Sequence, residues 1–299
     1  MKFPEEQWWI ERIERFVDIV DPYISPIPTL LVSFLLTMAF VIEFIVVLPY
    51  EIANWGVFYG LVVGSTGIWF FVNINYHLFA CYLAGPGHPE KSMKPELCTN
   101  CQNHKPVCAS HCSTCKKCIL RMDHHCFFLN GCVGLKNHRH FILFLAFLAG
   151  GSFFGIVAGS SSVWNNLIWR TPEAHFCFIP DTFALLSILQ PYMCLSPEFS
   201  LSTFFIILGL TLLVCGFAMG LIVFLWQAPL ISFDTTHLNR MKQQTRPTLV
   251  MALSPINRDV VKRNWERFLG INKPGRSFLR HVLLPHHDPP MIGDMLHSE

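Results

Sequence analysis

The tetrad Asp123–His124–His125–Cys126 places a thiol beside two imidazoles and a carboxylate. A cysteine is a nucleophile only as its thiolate, and an adjacent histidine lowers its pKa or accepts its proton. A nearby carboxylate selects the imidazole tautomer and stabilises its cationic form. Around the tetrad stand Cys98, Cys101, His111, Cys112, Cys115, Cys118 and Cys132. Cys98/Cys101, Cys112/Cys115 and Cys115/Cys118 each have the C-x2-C spacing that offers two zinc ligands from one tight turn. With His125 these make eight ligands without Cys126, enough for two closed tetrahedral sites. Two structural zincs would supply the folding free energy that a loop poor in large aliphatic residues cannot gain by burial. Cys126 is then a spare thiol, with one of the two histidines free to act as its base. Spacing alone leaves open which ligands share a metal. His104 and Cys108 lie outside the eight and read as ordinary loop residues.

The elements that must position this block are apolar. The chain has 299 residues, of which 52% are hydrophobic and 14% charged, against about 25% charged in soluble domains. A bilayer core of about 30 Å takes about 20 apolar residues in a helix. Leu30–Leu48, Val57–Leu83, Phe141–Val163 and Leu201–Trp226 are long enough. The expected fold is an all-α integral membrane protein, with four transmembrane helices and a small zinc-stapled cysteine-rich domain between helices 2 and 3. Glu43, inside the first span, must face a neighbouring helix or lie near an interface. The run Phe183–Leu195 is too short to cross and reads as an interfacial or packed piece. The first span lacks a small-residue cleavage pattern and reads as a retained helix, not a signal peptide. From Trp8 to Val20, Trp9, Ile13, Phe16, Val17 and Val20 share one face, which predicts an amphipathic in-plane helix.

Lys and Arg set the orientation. Of the 22, the N-terminal segment holds 3, the Cys/His loop 8 and the tail 10; the loop after span three has 1 and the first short loop none. The positive-inside rule puts both termini and the Cys/His block in the cytosol, a reducing compartment where metal binding or catalysis outweighs disulfide bonding. The expected organisation is a cytosolic amphipathic segment at 1–27, transmembrane helices 1 and 2 at 28–83, and the cytosolic cysteine-rich zinc domain at 84–140. Transmembrane helices 3 and 4 follow at 141–226, with a lumenal loop at 164–200, and a cytosolic tail at 227–299. Cys177 and Cys194 fall in the lumenal loop, where an oxidising compartment permits a disulfide.

The run Cys98-x2-Cys101…Lys105–Pro106…His111–Cys112-x2-Cys115-x2-Cys118-x4-Asp123–His124–His125–Cys126-x5-Cys132…Asn137-x3-Phe141 resembles the cysteine-rich domain of the DHHC-type protein S-acyltransferases, or palmitoyltransferases. The four-span layout resembles that family as well. The resemblance implies that Cys126 attacks the thioester of a fatty acyl-CoA, with His124 as general base and Asp123 orienting it. A substrate protein's cysteine then takes the acyl group, mainly palmitoyl. It implies one structural zinc on Cys98, Cys101, His111 and Cys118, and a second on Cys112, Cys115, His125 and Cys132. Acyl-CoA is the implied co-substrate; the bilayer and cysteine-containing proteins are the implied partners, and nucleic acid is not. Burying a methylene is worth roughly 0.8 kcal/mol, so a sixteen-carbon chain gains on the order of 10 kcal/mol inside a membrane pocket.

Further positions follow from the same resemblance. Thr235–Thr236 resembles the start of the family's TTxE motif, with Leu238 at the acid position. Asn264–Trp265-x2-Phe268–Leu269–Gly270 resembles its C-terminal motif on a short amphipathic helix. Phe127–Phe128 stands in place of a Pro-Trp pair, with Phe128 expected at the pocket mouth. Ala84–Gly85–Pro86–Gly87 stands where Asp-Pro-Gly is typical, and Cys108 where an arginine is usual. Lys116, Lys117, Arg121, Lys136 and Arg139 are expected to meet CoA phosphates or anionic headgroups. A third span starting at Phe141 puts Gly150 and Gly151 about 15 Å into the membrane at about 1.5 Å per residue. The small run Ala149–Gly150–Gly151–Ser152 either opens the pocket floor to chains longer than sixteen carbons or only lets helices pack closely. The competing readings are a zinc scaffold without chemistry and a RING-like ubiquitin ligase. The expected location is the endoplasmic reticulum, with the Golgi next.

Overall fold

The computed structural model describes residues 25–89, 96–165, 201–242 and 257–285. The expected N-terminal amphipathic helix, the Phe183–Leu195 piece and the Cys177–Cys194 pair lie outside the described residues. Among these residues, four helices are long and apolar enough to cross a membrane: Ile27–Trp55, Val57–Ala84, His138–Ala158 and Leu201–Ser232.

The first rod joins α1 (Ile27–Ile42), a π-helical turn at Glu43–Val47 and α2 (Leu48–Trp55). It continues past the expected end at Leu48 because Pro49 falls in the first turn of α2, where no partner is needed for the N–H it lacks. Gly56, at φ 85°, reverses the chain into α3 (Val57–Ala84). The third span, α4 (His138–Ala158), begins three residues before Phe141. The short α5 (Ser160–Val163) follows it, and the fourth span is α6 (Leu201–Ser232). In the most apolar window of α4, 44% of residues are buried, against 17–22% in the other three spans, so α4 is the inner helix. Gly220 lets α6 approach it: a Cβ there would lie 2.9 Å from the Ala149 nitrogen and 3.0 Å from the Leu145 oxygen. Phe34, Phe58, Leu61 and Ile222 face outward, as lipid-contacting residues should.

Between α3 and α4 the chain folds into three two-stranded antiparallel hairpins. They pair β1 (Glu96–Cys98) with β2 (Asn103–Lys105), β3 (Ala109–Cys112) with β4 (Lys117–Leu120), and β5 (His124–Cys126) with β6 (Gly131–Val133). The apolar clusters here are small, such as Ala109, Leu120 and Leu135. Asn137 ties the module to the bundle. Its side-chain oxygen accepts from the Gly134 N–H (2.9 Å), and its amide donates to the carbonyls of Cys132 (3.0 Å) and Cys81 (3.2 Å). After α6 come α7 (His237–Lys242) and α8 (Arg258–Leu269). Asn257 caps α8 by accepting from the Asp259 N–H. Gly270, at φ 68°, ends it, the end expected of this short amphipathic helix.

Candidate active site

The hairpins explain how eight ligands become two sets. Cross-strand register puts His111 opposite Cys118 and His125 opposite Cys132. The turn of the first hairpin brings Cys98 and Cys101 to the former pair, and the turn of the second brings Cys112 and Cys115 to the latter. In each set the four donor atoms lie within 4.8 Å of one another. Cys101 Sγ is 3.1 Å from His111 Nδ1 and 3.6 Å from Cys118 Sγ. Cys115 Sγ is 3.3 Å from His125 Nδ1 and 3.5 Å from Cys132 Sγ. Metal–sulfur bonds of about 2.3 Å at tetrahedral angles require edges of about 3.8 Å, so both sets fit a small tetrahedral ion. Burial and the neighbouring thiols push the Cys118 thiol up to about 12 and raise that of Cys132 as well. A divalent cation at each centre would offset that cost, because thiolates are its ligands. The two sets are those the family resemblance implied. His104 and Cys108 belong to neither.

Asp123, His124 and Cys126 converge outside both sets. Cys126 ends β5, is 6% exposed, and lies at one end of an apolar cavity of about 500 Å³. His124 Nδ1 donates to Asp123 Oδ2 at 2.8 Å, and the imidazole also hydrogen-bonds with Cys126. Burial opposes charge on His124, but its bonds to Asp123 and Cys126 raise it to about 9. Burial likewise opposes ionisation of Asp123, yet the hydrogen bond from His124, the nearby imidazoles and the His237 amide hold it below the usual carboxylate range. The arrangement can hold a proton on an imidazole between a fixed carboxylate and the Cys126 sulfur.

Two further partners of Asp123 were not picked out from the sequence. Gln227 Nε2 donates to Asp123 Oδ2 at 2.6 Å, and the His237 backbone N–H donates to Oδ1 at 2.7 Å. An amide inside an otherwise apolar span is a visible signal, and Gln227 carries it. Thr236, the second threonine of the TTxE-like run, is buried, and its hydroxyl accepts from the Asn239 N–H. The residue after it is the one that reaches the carboxylate. Thr235 is half-buried beside it.

Phe128 lines the cavity mouth and Gly151 its wall. A Cβ at Gly151 would come within 3.1 Å of Phe70, and one at Gly150 within 3.2 Å, so these glycines also seat an aromatic ring. The cavity does not end at Gly151; it continues to Ala158 and Gly159. Lys116, Lys117 and Lys136 are exposed. Two arginines depart from the expectation of phosphate contact. Arg139 is 2% exposed and donates to the His281 carbonyl. Arg121 pairs with Asp234 at 2.9 Å, and Arg267 holds the other carboxylate oxygen at 3.0 Å. A buried guanidinium must be partnered, and these two bind the chain beyond α6 to the module. Asn264 and Trp265 reinforce the junction by donating to the Ser232 carbonyl (2.8 Å) and hydroxyl (3.0 Å).

A membrane-spanning helical bundle that holds a two-centre Cys/His module, with a Cys–His–Asp group at the end of an apolar cavity, defines a narrow class of protein. The DHHC palmitoyltransferase family profile matches residues 91–244. The chain belongs to that family. Similar curated proteins include Palmitoyltransferase ZDHHC16A of Danio rerio, 33% identical over 155 residues, which are 50% of this chain and 40% of the fish protein. Palmitoyltransferase pfa3 of Emericella nidulans is 30% identical over 209 residues, covering 60% of this chain and 39% of its own. Palmitoyltransferase ZDHHC23-A of Danio rerio is 51% identical over 67 residues, 22% of this chain and 16% of its own. The chain spans about two fifths of the length of the first two relatives.

Proposed function

We propose that this chain is a protein S-acyltransferase acting from acyl-CoA. The Cys126 thiolate attacks the thioester carbonyl, an acyl–sulfur bond forms, and CoA leaves as its thiol, taking the proton from His124. A substrate protein's cysteine then attacks the Cys126 thioester, His124 accepts its proton, and Cys126 is released as thiolate. Asp123 keeps the imidazole in the productive tautomer and balances its charge. The observation that carries this reading is the position of Cys126 at the end of an apolar cavity, bonded to an imidazole that is itself bonded to a buried carboxylate. Cys81 and Cys215 also line the cavity, but among the described residues Cys126 is the one that has the His124–Asp123 pair beside it.

Zinc is the ion we assign to both ligand sets, on donor type and spacing. It would brace the hairpins on either side of Cys126 and take no part in the transfer. Exposed Lys117 and Lys136 would meet the CoA phosphates. The substrates are membrane-associated proteins with cytosolic cysteines, and the positive-inside rule places the module and both termini on that side. The protein would act in the endoplasmic reticulum or the Golgi. The test is direct: purified protein mixed with palmitoyl-CoA should form a hydroxylamine-sensitive adduct of one palmitoyl group. Absence of any adduct on Cys126 would refute the reading.

A further inference from the structure

The cavity that starts at Cys126 ends at two acids. Glu43 and Glu51 both line its far end, in a wall otherwise built almost entirely of apolar side chains and glycines. The Glu43 carboxyl sits between α4 and α6: a Cβ at Gly159 would lie 3.5 Å from one of its oxygens, and a Cβ at Gly209 3.7 Å from the other. Glu51 is 1% exposed. Its Oε1 accepts from the Ser162 N–H (2.8 Å) and hydroxyl (2.9 Å). Its Oε2 is buried with no hydrogen-bond partner among the described residues. A buried oxygen left without a donor is costly, and acids inside a span mark functional sites more often than packing.

Two helical rulers give the depth of this end. Phe141 stacks edge-on to His124 with centroids 5.2 Å apart, and Gly159 is eighteen residues further along, about 27 Å at roughly 1.5 Å per residue. Thr29 donates to the carbonyl of Phe128; Glu43 is fourteen residues beyond it, about 21 Å by the same rise, and Glu51 twenty-two residues beyond it, about 33 Å. Carbon–carbon bonds of about 1.5 Å at tetrahedral angles advance about 1.25 Å per carbon. Extended chains of fourteen, sixteen and eighteen carbons thus reach about 17, 20 and 22 Å.

We infer that the far end of the cavity is a polar subsite for the terminus of the acyl chain, and that it recognises long chains carrying a hydrogen-bond donor at that terminus, an ω-hydroxyl being the simplest. The hydroxyl would donate to the Glu43 carboxyl, with Glu51 closing the cavity beyond it, whereas a methyl group there would leave the Glu43 acceptor dry. A shorter chain could not reach, and its hydroxyl would be stranded among Phe70, Phe154 and Leu148, where an unpaired polar group is penalised.

This inference rests on acyl transfer to Cys126, and the experiment separates the two. Purified full-length chain in nanodiscs is given paired CoA esters in competition: stearoyl against 18-hydroxystearoyl, and myristoyl against 14-hydroxymyristoyl. Adducts on Cys126 are read by intact mass. The expected result is a length-dependent reversal. The hydroxyl is disfavoured at fourteen carbons and favoured roughly three- to tenfold at eighteen, the effect of one hydrogen bond. Glu43→Leu should reverse the eighteen-carbon preference. An equal hydroxyl penalty at both lengths in the unaltered protein would overturn the subsite without any variant, while leaving acyl transfer intact. An eighteen-carbon preference that survives Glu43→Leu would overturn it too. No adduct from any ester would overturn the transfer reading itself, and this inference with it.

Discussion

Asp123 and Glu51 are each 1% exposed, and they lie near opposite ends of one cavity in opposite states. Both oxygens of Asp123 are occupied, Oδ2 by His124 and Gln227 and Oδ1 by the His237 amide. Glu51 has one oxygen capping the chain at Ser162 and the other unpaired. A carboxylate with both oxygens engaged is a fixed electrode: it holds its charge and its orientation, which is what an imidazole partner requires. A carboxyl with a free acceptor is a site for a donor still to arrive. The chemistry end is finished in the resting protein, and the far end is open to a ligand.

The largest expected effect comes from the finished end. Cys126→Ser should abolish the acyl adduct while the protein keeps two zincs per chain, measured by intact mass and by metal analysis. Loss of a zinc would make Cys126 a ligand and break the distinction between nucleophile and clamp.

The two adjacent histidines should separate next. His124→Ala is expected to slow adduct formation about 10²- to 10⁴-fold, the usual worth of a general base, with both zincs retained. His125→Ala should release one zinc and unfold the β5–β6 hairpin. Equal metal loss in both would contradict the division of roles.

A smaller effect should appear in stability against pH. His124 is raised to about 9 from an ordinary value near 6.5, so its contribution is fully present below about pH 6.5 and is lost as pH rises toward 9. The melting temperature should therefore fall by a few degrees between pH 6.5 and 10. Asp123→Asn should flatten that fall, because it removes the partner that holds the proton. Parallel pH profiles for the two proteins would show that the carboxylate does not stabilise the imidazolium.

The smallest effect is expected midway along the cavity. Gly151→Phe would compete with Phe70 for the same space and narrow the cavity about 15 Å from its mouth, by the helical rise of α4. Loading of stearoyl relative to myristoyl should then fall several-fold in a competition assay. An unchanged chain-length profile in a folded variant would leave Gly151 only its packing role.

Much of the molecule follows from local spacing. The C-x2-C knuckles, the Asp–His–His–Cys tetrad and the lengths of the apolar runs are short-range facts, set by turn geometry and bilayer thickness, and they require no knowledge of the fold. The spare thiol, the four spans and the short helix ending at Gly270 were legible for that reason. The end of the first rod was not, because a proline that breaks a helix interior also suits a helix start, and only the path of the chain distinguishes them. The rest was decided by contacts between distant parts of the chain. Gln227 reaches Asp123 across 104 residues and His237 across 114, and Ser162 meets Glu51 across 111. Arg121 and Arg139 look like surface cations in the sequence, but the fold buries one and pairs the other because the chain beyond α6 packs on the module. A side chain's charge and size are properties of its residue. Its partner and its exposure depend on which helices close around it, and so belong to the tertiary structure.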